Sequence, residues 1–180
     1  GRFSKDADID VFILNGTITE HQTKKKSDWL SLINSEEPKS QFTIGDVAQV
    51  SVGNIVPHRH DSRGQWKGYI DVKTSKPWTS ITPNKSIRTR QKTVEPPFVA
   101  VRRTSSPSDK KRVVATLING DKNCAAENHL IIIKPKDNNL STCEAIIKIL
   151  KKQSTDQYIN SQNRCRHLTV GNIKGIPLDD

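Results

Sequence analysis

The chain has 180 residues, with 29 Lys+Arg against 19 Asp+Glu for a net charge of +10, a hydrophobic share of 33% and a charged share of 27%. That length suits one domain or two small ones and lets the chain bury roughly two-thirds of its surface without a metal or disulfide staple. The composition excludes a membrane-spanning helix, since no run approaches the ~18 apolar residues a bilayer demands, and wholesale disorder, since runs rich in Ile and Val persist.

Residues 8–14 form a short β-rich run closed by the turn signal Asn15-Gly16. Ser27 is placed to cap a short helix over Asp28–Ile33, and Glu36-Glu37-Pro38-Lys39 ends it in a connector. A compact region is expected to begin near Phe42 and to run over 42–180. Its opening, Thr43–Gly53, predicts a helical turn running into a strand. Residues 54–68, with Pro57, His58, Arg59, His60, Asp61, Arg63 and Gly64, predict a loop. Strands are predicted at Tyr69–Val72, Phe98–Val101 and Arg112–Ile118 on β-branched content. The polar loop Thr104–Lys111 joins the last two, and Asn119-Gly120-Asp121 marks a turn. The fully apolar Leu130–Ile133 predicts a central strand. Ser141…Glu144 fits a capping box ahead of Ile146, Ile147 and Leu150, and Ser154…Gln157 repeats the pattern before a second helix. The expected fold class is mixed α/β (α+β), with a mostly antiparallel sheet and short helices concentrated in the C-terminal half.

The sequence contains no methionine, position 1 included, so it is expected to be a piece of a longer chain. No signal peptide opens it. Cys124, Cys143 and Cys165 are odd in number and form no C-x-x-C pair, which argues for buried thiols in a cytoplasmic protein over a zinc ribbon or a disulfide framework.

The positive surplus asks for a polyanionic partner. From Lys85 to Arg112 nine cations face Glu95 and Asp109 alone, with Ser and Thr hydroxyls interleaved. Arginine forks and hydroxyls bind phosphate oxygens and base edges. Arg102, Arg103, Thr104, Ser105 and Ser106 are the first candidate contacts, and Lys110, Lys111 and Arg112 are candidates for phosphate. Arg102, Arg103 and Lys110–Arg112 are expected to line a single groove-sized concavity. His58, Arg59, His60 and Arg63 form a second candidate loop. Arg164, Arg166 and His167 form a third, with a structural role pinning the late helices as the alternative. Asn128 and His129 precede the apolar strand and are expected to make structural hydrogen bonds.

Four stretches carry a family resemblance: Ile44–Ala48 with Val52-Gly53, Pro96–Pro107, Ala126–Pro135, and Arg164–Thr169 through Lys174–Leu178. From about Phe42 onward the chain resembles the target-recognition domain of TaqI-type N6-adenine DNA methyltransferases and of type I restriction specificity subunits. The resemblance implies that it reads double-stranded DNA in a restriction-modification system, with residues 1–41 as the tail of the preceding domain plus a connector. The methyl transfer, with its S-adenosylmethionine, would belong to an N-terminal methyltransferase domain of the parent chain. That family's catalytic motif is [D/N]-P-P-[Y/F/W]; Glu95-Pro96-Pro97-Phe98 departs from it by one methylene, and no glycine-rich cofactor loop follows an apolar strand. No catalytic residue, metal ligand or cofactor site is therefore expected here. Two other classes compete. One is a magnesium-dependent nuclease using Asp28, Glu37 and Lys39. The other is a scaffold whose basic face docks an acidic protein.

Overall fold

The computed structural model describes residues 42–59, 63–106, 108–162 and 165–178. The expected strand at 8–14, the helix after Ser27, the connector to residue 41 and the set Asp28, Glu37 and Lys39 lie outside the described residues. Within them the chain runs α1 (Ile44–Val47), β1 (Ala48–Val52), β2 (Gln65–Ile70), β3 (Ser80–Ile81), β4 (Lys85–Thr89), β5 (Phe98–Arg102), β6 (Ala115–Ile118), β7 (Cys124–Ala126), β8 (Leu130–Pro135), α2 (Leu140–Leu150), α3 (Gln153–Gln162) and α4 (Val170–Lys174). A five-stranded sheet has the order β1-β8-β5-β6-β3, and a three-stranded sheet the order β4-β2-β7. Pairing is antiparallel except for β3 beside β6 and β2 beside β7. This is the mixed, mostly antiparallel α+β architecture with late helices that the sequence led us to expect.

The central strands explain the layering. Successive side chains on a strand point to opposite faces, so a run that is apolar throughout must be covered on both. Ile131 and Ile133 of β8, with Val99 and Val101 of β5, join Cys143, Ile146 and Leu150 of α2, Ile159 of α3 and Ile173 of α4 in one core. The intervening Leu130 and Ile132, with Phe98 and Ala100, join Ile70, Cys124 and Ala126 of the small sheet in a second core. The large sheet is thus a middle layer, with helices on one face and the small sheet on the other. Each such Leu, Ile or Phe stabilises the fold by roughly 1.5–3 kcal/mol.

Several local expectations shift. The 54–68 loop is shorter than predicted, because β2 begins at Gln65. The predicted strand Tyr69–Val72 stops at Ile70, where Asp71 opens a turn: its Oδ1 accepts the Thr74 N–H at 2.7 Å and its carbonyl accepts the Ser75 N–H at 3.0 Å. The predicted strand from Arg112 begins only at Ala115, because Arg112 is held by a helix instead. The cap of α2 is Asn139, two residues before Ser141, with Asn139 Oδ1 accepting the Ser141 N–H at 3.0 Å. Strands β3, β4 and β7 were not anticipated. Among the described residues no helix is long and apolar enough to cross a membrane.

Cys124 and Cys143 are buried, and burial pushes both thiols up to about 11, whereas Cys165 is exposed. At pH 8 a raised pKa leaves almost no thiolate, and the thiolate is the nucleophile. A disulfide reagent such as Ellman's should therefore titrate Cys165 rapidly in the native protein and all three cysteines in denaturant. Two fast native thiols would contradict this packing.

Candidate nucleic-acid interface

A concave cleft of about 820 Å³ opens on the small-sheet side of the molecule. Its walls come from four places: the turn after β1 (His58), the end of β2 and the turn beyond it (Tyr69, Asp71, Lys73), β4 (Lys85), and the end of β5 (Arg102, Thr104) with the β7–β8 turn (Glu127, His129). Three of the predicted contacts, His58, Arg102 and Thr104, are brought together here from positions far apart in the chain. Lys73, Lys85 and His129 join them.

Both carboxylates in the cleft are engaged internally. Asp71 accepts Lys85 Nζ at 3.0 Å as well as the Thr74 N–H. Burial works against its ionisation, but the hydrogen bonds from Thr74 and Lys85 prevail and hold its pKa below the ordinary value. Glu127 Oε2 accepts the Val72 N–H at 3.0 Å, and its Oε1 lies 3.1 Å from His129 Nδ1. That pair gives His129 a structural hydrogen bond, as expected, yet leaves its ring on the cleft. Burial, helped by Glu127 and Asp71, pushes the Tyr69 phenol up to about 12, so it stays a neutral donor. Arg102 Nη2 donates to the Ser75 carbonyl at 3.2 Å, which fixes the side chain, and its Nε is buried without a hydrogen-bond partner. A guanidinium held in place at the cleft wall suits a phosphate or a base edge.

A second basic feature adjoins the cleft. Segments 63–70 and 85–92, which contain β2 and β4, hold Arg63, Lys67, Lys85, Arg88, Arg90 and Lys92 and not one Asp or Glu. All but Lys67 are exposed, and Lys67 is half-buried. Gly64 makes the close approach at the end of this ribbon possible. It has φ +113, and a Cβ there would fall 2.3 Å from the Thr89 carbonyl oxygen. Arg88 Nε donates to the Gly64 carbonyl at 2.9 Å. Lys67, Lys73, Lys85 and Arg88 were not among the candidates. Lys85 and Arg88 belong to the basic 85–112 stretch that points to a polyanion, whereas Lys67 and Lys73 stand in no basic run of their own.

The remaining candidates do not line one concavity. Arg112 is corrected most sharply: it is 1% exposed, its N–H donates to Asp156 Oδ1 at 2.7 Å, and its Nη2 donates to the Cys165 carbonyl at 2.9 Å. A guanidinium so enclosed cannot meet a phosphate. Lys111 Nζ is tied to Asp156 Oδ2 at 2.9 Å and to the Lys151 carbonyl at 2.8 Å. Ser105 is buried and its N–H donates to the Arg166 carbonyl at 2.8 Å; the Ser106 N–H donates to Asp109 Oδ2 at 2.6 Å. Arg103 is half-buried, with its backbone bonded to His129 and Leu168. The segment expected as a free loop thus starts as an edge paired with residues 166–168. Arg59, Lys110, Arg166 and His167 are exposed outside the cleft. His60 and Arg164 lie outside the described residues. At the near-miss motif, Pro96 is buried and Phe98 is fully buried between the sheets, so that ring is not available to a flipped base. Lys134 Nζ donates to the Glu95 and Pro97 carbonyls at 2.7 and 3.2 Å and fixes the entry to β5.

No family model and no curated protein matches the chain. Among solved structures it is similar to the HsdS subunit from Thermoanaerobacter tengcongensis, with 15% identity, 81% of this chain and 35% of that one covered, and a TM-score of 0.48. It is also similar to the type I restriction-modification S subunit from M. genitalium, with 12% identity, 84% and 37% covered, and a TM-score of 0.43. A structure described as showing complex assembly and conformational transition of the type I R-M system gives 14% identity, 83% and 37% covered, and a TM-score of 0.47. The chain spans little more than a third of the length of these proteins.

Arg112→Ala should lower the unfolding free energy by about 2–4 kcal/mol, since it takes the side-chain donor from the Cys165 carbonyl and opens a void, while the backbone N–H to Asp156 remains. Lys110→Ala should change it by no more than about 0.5 kcal/mol. Urea denaturation of the two variants measures both, and equal stabilities would show that Arg112 does not hold the fold.

Proposed function

We propose that this chain is a sequence-specific double-stranded DNA-recognition module of a restriction-modification system, acting beside an N6-adenine methyltransferase. The observation that carries the reading is the ribbon of six cations whose own segments hold no carboxylate and of which Lys85 is paired with Asp71, set next to a cleft whose two carboxylates are engaged internally. Such a surface binds a polyphosphate by releasing its condensed counterions. In the cleft, Arg102, Thr104, His58 and Tyr69 supply directional hydrogen bonds, the kind that distinguish base edges in the major groove. The resemblance of Pro96–Pro107 and Arg164–Leu178 to recognition domains supports the same assignment. Adenine methylation and S-adenosylmethionine belong, in this reading, to a catalytic partner on the parent chain or on a separate subunit. The setting is cytoplasmic.

The reading is tested by titrating the chain with duplex DNA at several salt concentrations and by selecting bound sequences from a random pool. If about six phosphates are neutralised, log K should fall against log [salt] with a slope near −5. One short sequence should be enriched. Arg102→Ala should weaken binding to that sequence by about 1–3 kcal/mol and relax discrimination at one position. A slope near zero, or a bound pool as random as the starting one, would remove the proposal.

A further inference from the structure

Trp66 is 69% exposed, more than any other large hydrophobic side chain among the described residues. It lies on β2 directly opposite Arg88 of β4. β7 pairs with Gly68–Ile70 of β2 and goes no further. At Gln65–Lys67 the small sheet has therefore narrowed to two strands, β2 and β4. Neither core includes Trp66, so packing within the fold does not account for an indole at this position. Its surroundings are polar and cationic: with Lys67, Lys85 and Lys122, and with Asn84 and Asn123, it lines a second cleft of about 720 Å³ in which Asp121 is the acidic residue.

We propose that duplex DNA covers this overhang, the two-stranded ribbon entering the major groove with the Trp66 indole packed against base edges. The inference rests on the DNA-recognition reading above and names the residue that reading lacks. A two-stranded ribbon fits a groove about 12 Å wide and not one of roughly 6 Å. The cations on both strands then meet the phosphates that border the groove. An indole offers a large apolar face to thymine methyls and base edges, and the Asn84 and Asn123 carboxamides have the donor–acceptor pattern that matches an adenine edge. A protein partner would have to be strongly acidic to sit on the same surface, and the charge pattern favours DNA.

The test uses the full 180-residue chain and a pool of short random-sequence duplexes. Trp66→Ala should bind about tenfold more weakly at every salt concentration, with the salt slope unchanged, because an apolar contact releases no counterions. Arg88→Ala should reduce the slope by about one. In the wild type, the part of the tryptophan emission that Trp66→Phe removes should be open to acrylamide in the free protein and shielded at saturating DNA. If the wild type binds duplex DNA but Trp66→Ala binds within twofold of it, or the indole stays open to the quencher, this inference falls and the recognition reading stands. If the wild type does not bind duplex DNA, both fall together.

Discussion

The constraint on which the rest of the molecule depends is that Leu130–Ile133 is apolar on both faces. A strand of that kind cannot lie on a surface, and β8 accordingly sits between β1 and β5 with cover above and below. Helices α2, α3 and α4 supply one cover. The other needs only a small patch of sheet, and Ile70, Cys124 and Ala126 provide it. Once those three residues have closed the second core, Gln65 and Trp66 of β2 and Lys85, Ser86 and Arg88 of β4 are left exposed. The basic ribbon exists because the inner sheet asks so little of the outer one.

Burial also decides which cations face water. Positions 85–112 form one basic stretch in sequence, but the fold divides it among three environments. Residues 85–92 stay on the outer ribbon. Arg102 turns into the cleft, half-restrained by the Ser75 carbonyl. Lys111 and Arg112 are drawn toward the helical layer by Asp156, which takes a backbone N–H and an ammonium on its two oxygens. Enclosing a guanidinium is costly unless its donors find acceptors, and the Cys165 carbonyl is one such acceptor. The segment between the ribbon and the helices is therefore clamped at its far end.

What could be read from the residues alone follows the same division. Strands β5 and β8 were legible because β-branched runs buried on both faces leave an unbroken signature, and the turn at Asn119-Gly120 was legible because Gly120 adopts φ +124. The helical turn before β1 was likewise plain. Strand β4, Lys85-Ser86-Ile87-Arg88-Thr89, was not, because an edge strand with one face in water carries little apolar signal. Cys124–Ala126 was missed because three small residues have weak strand preference and pair only by virtue of their neighbours. The fate of Arg112 was decided by Asp156, 44 residues away, and no local pattern reports such a partner. At the cleft, His58 comes from one expected loop and Arg102 and Thr104 from another, and their meeting depends on long-range packing that neither local pattern reports.

The overhang of β2 and β4 beyond β7 has one more consequence. Its shape is kept by backbone pairing from Gln65↔Thr89 to Tyr69↔Lys85, a ladder indifferent to which side chains it displays. Exchange of the exposed Trp66 should therefore cost folding little, whereas Arg88 also holds the Gly64 carbonyl at the end of the ribbon. Stability rests on that ladder and on the two buried cores, to which the side chains of Trp66, Lys67 and Arg88 do not belong.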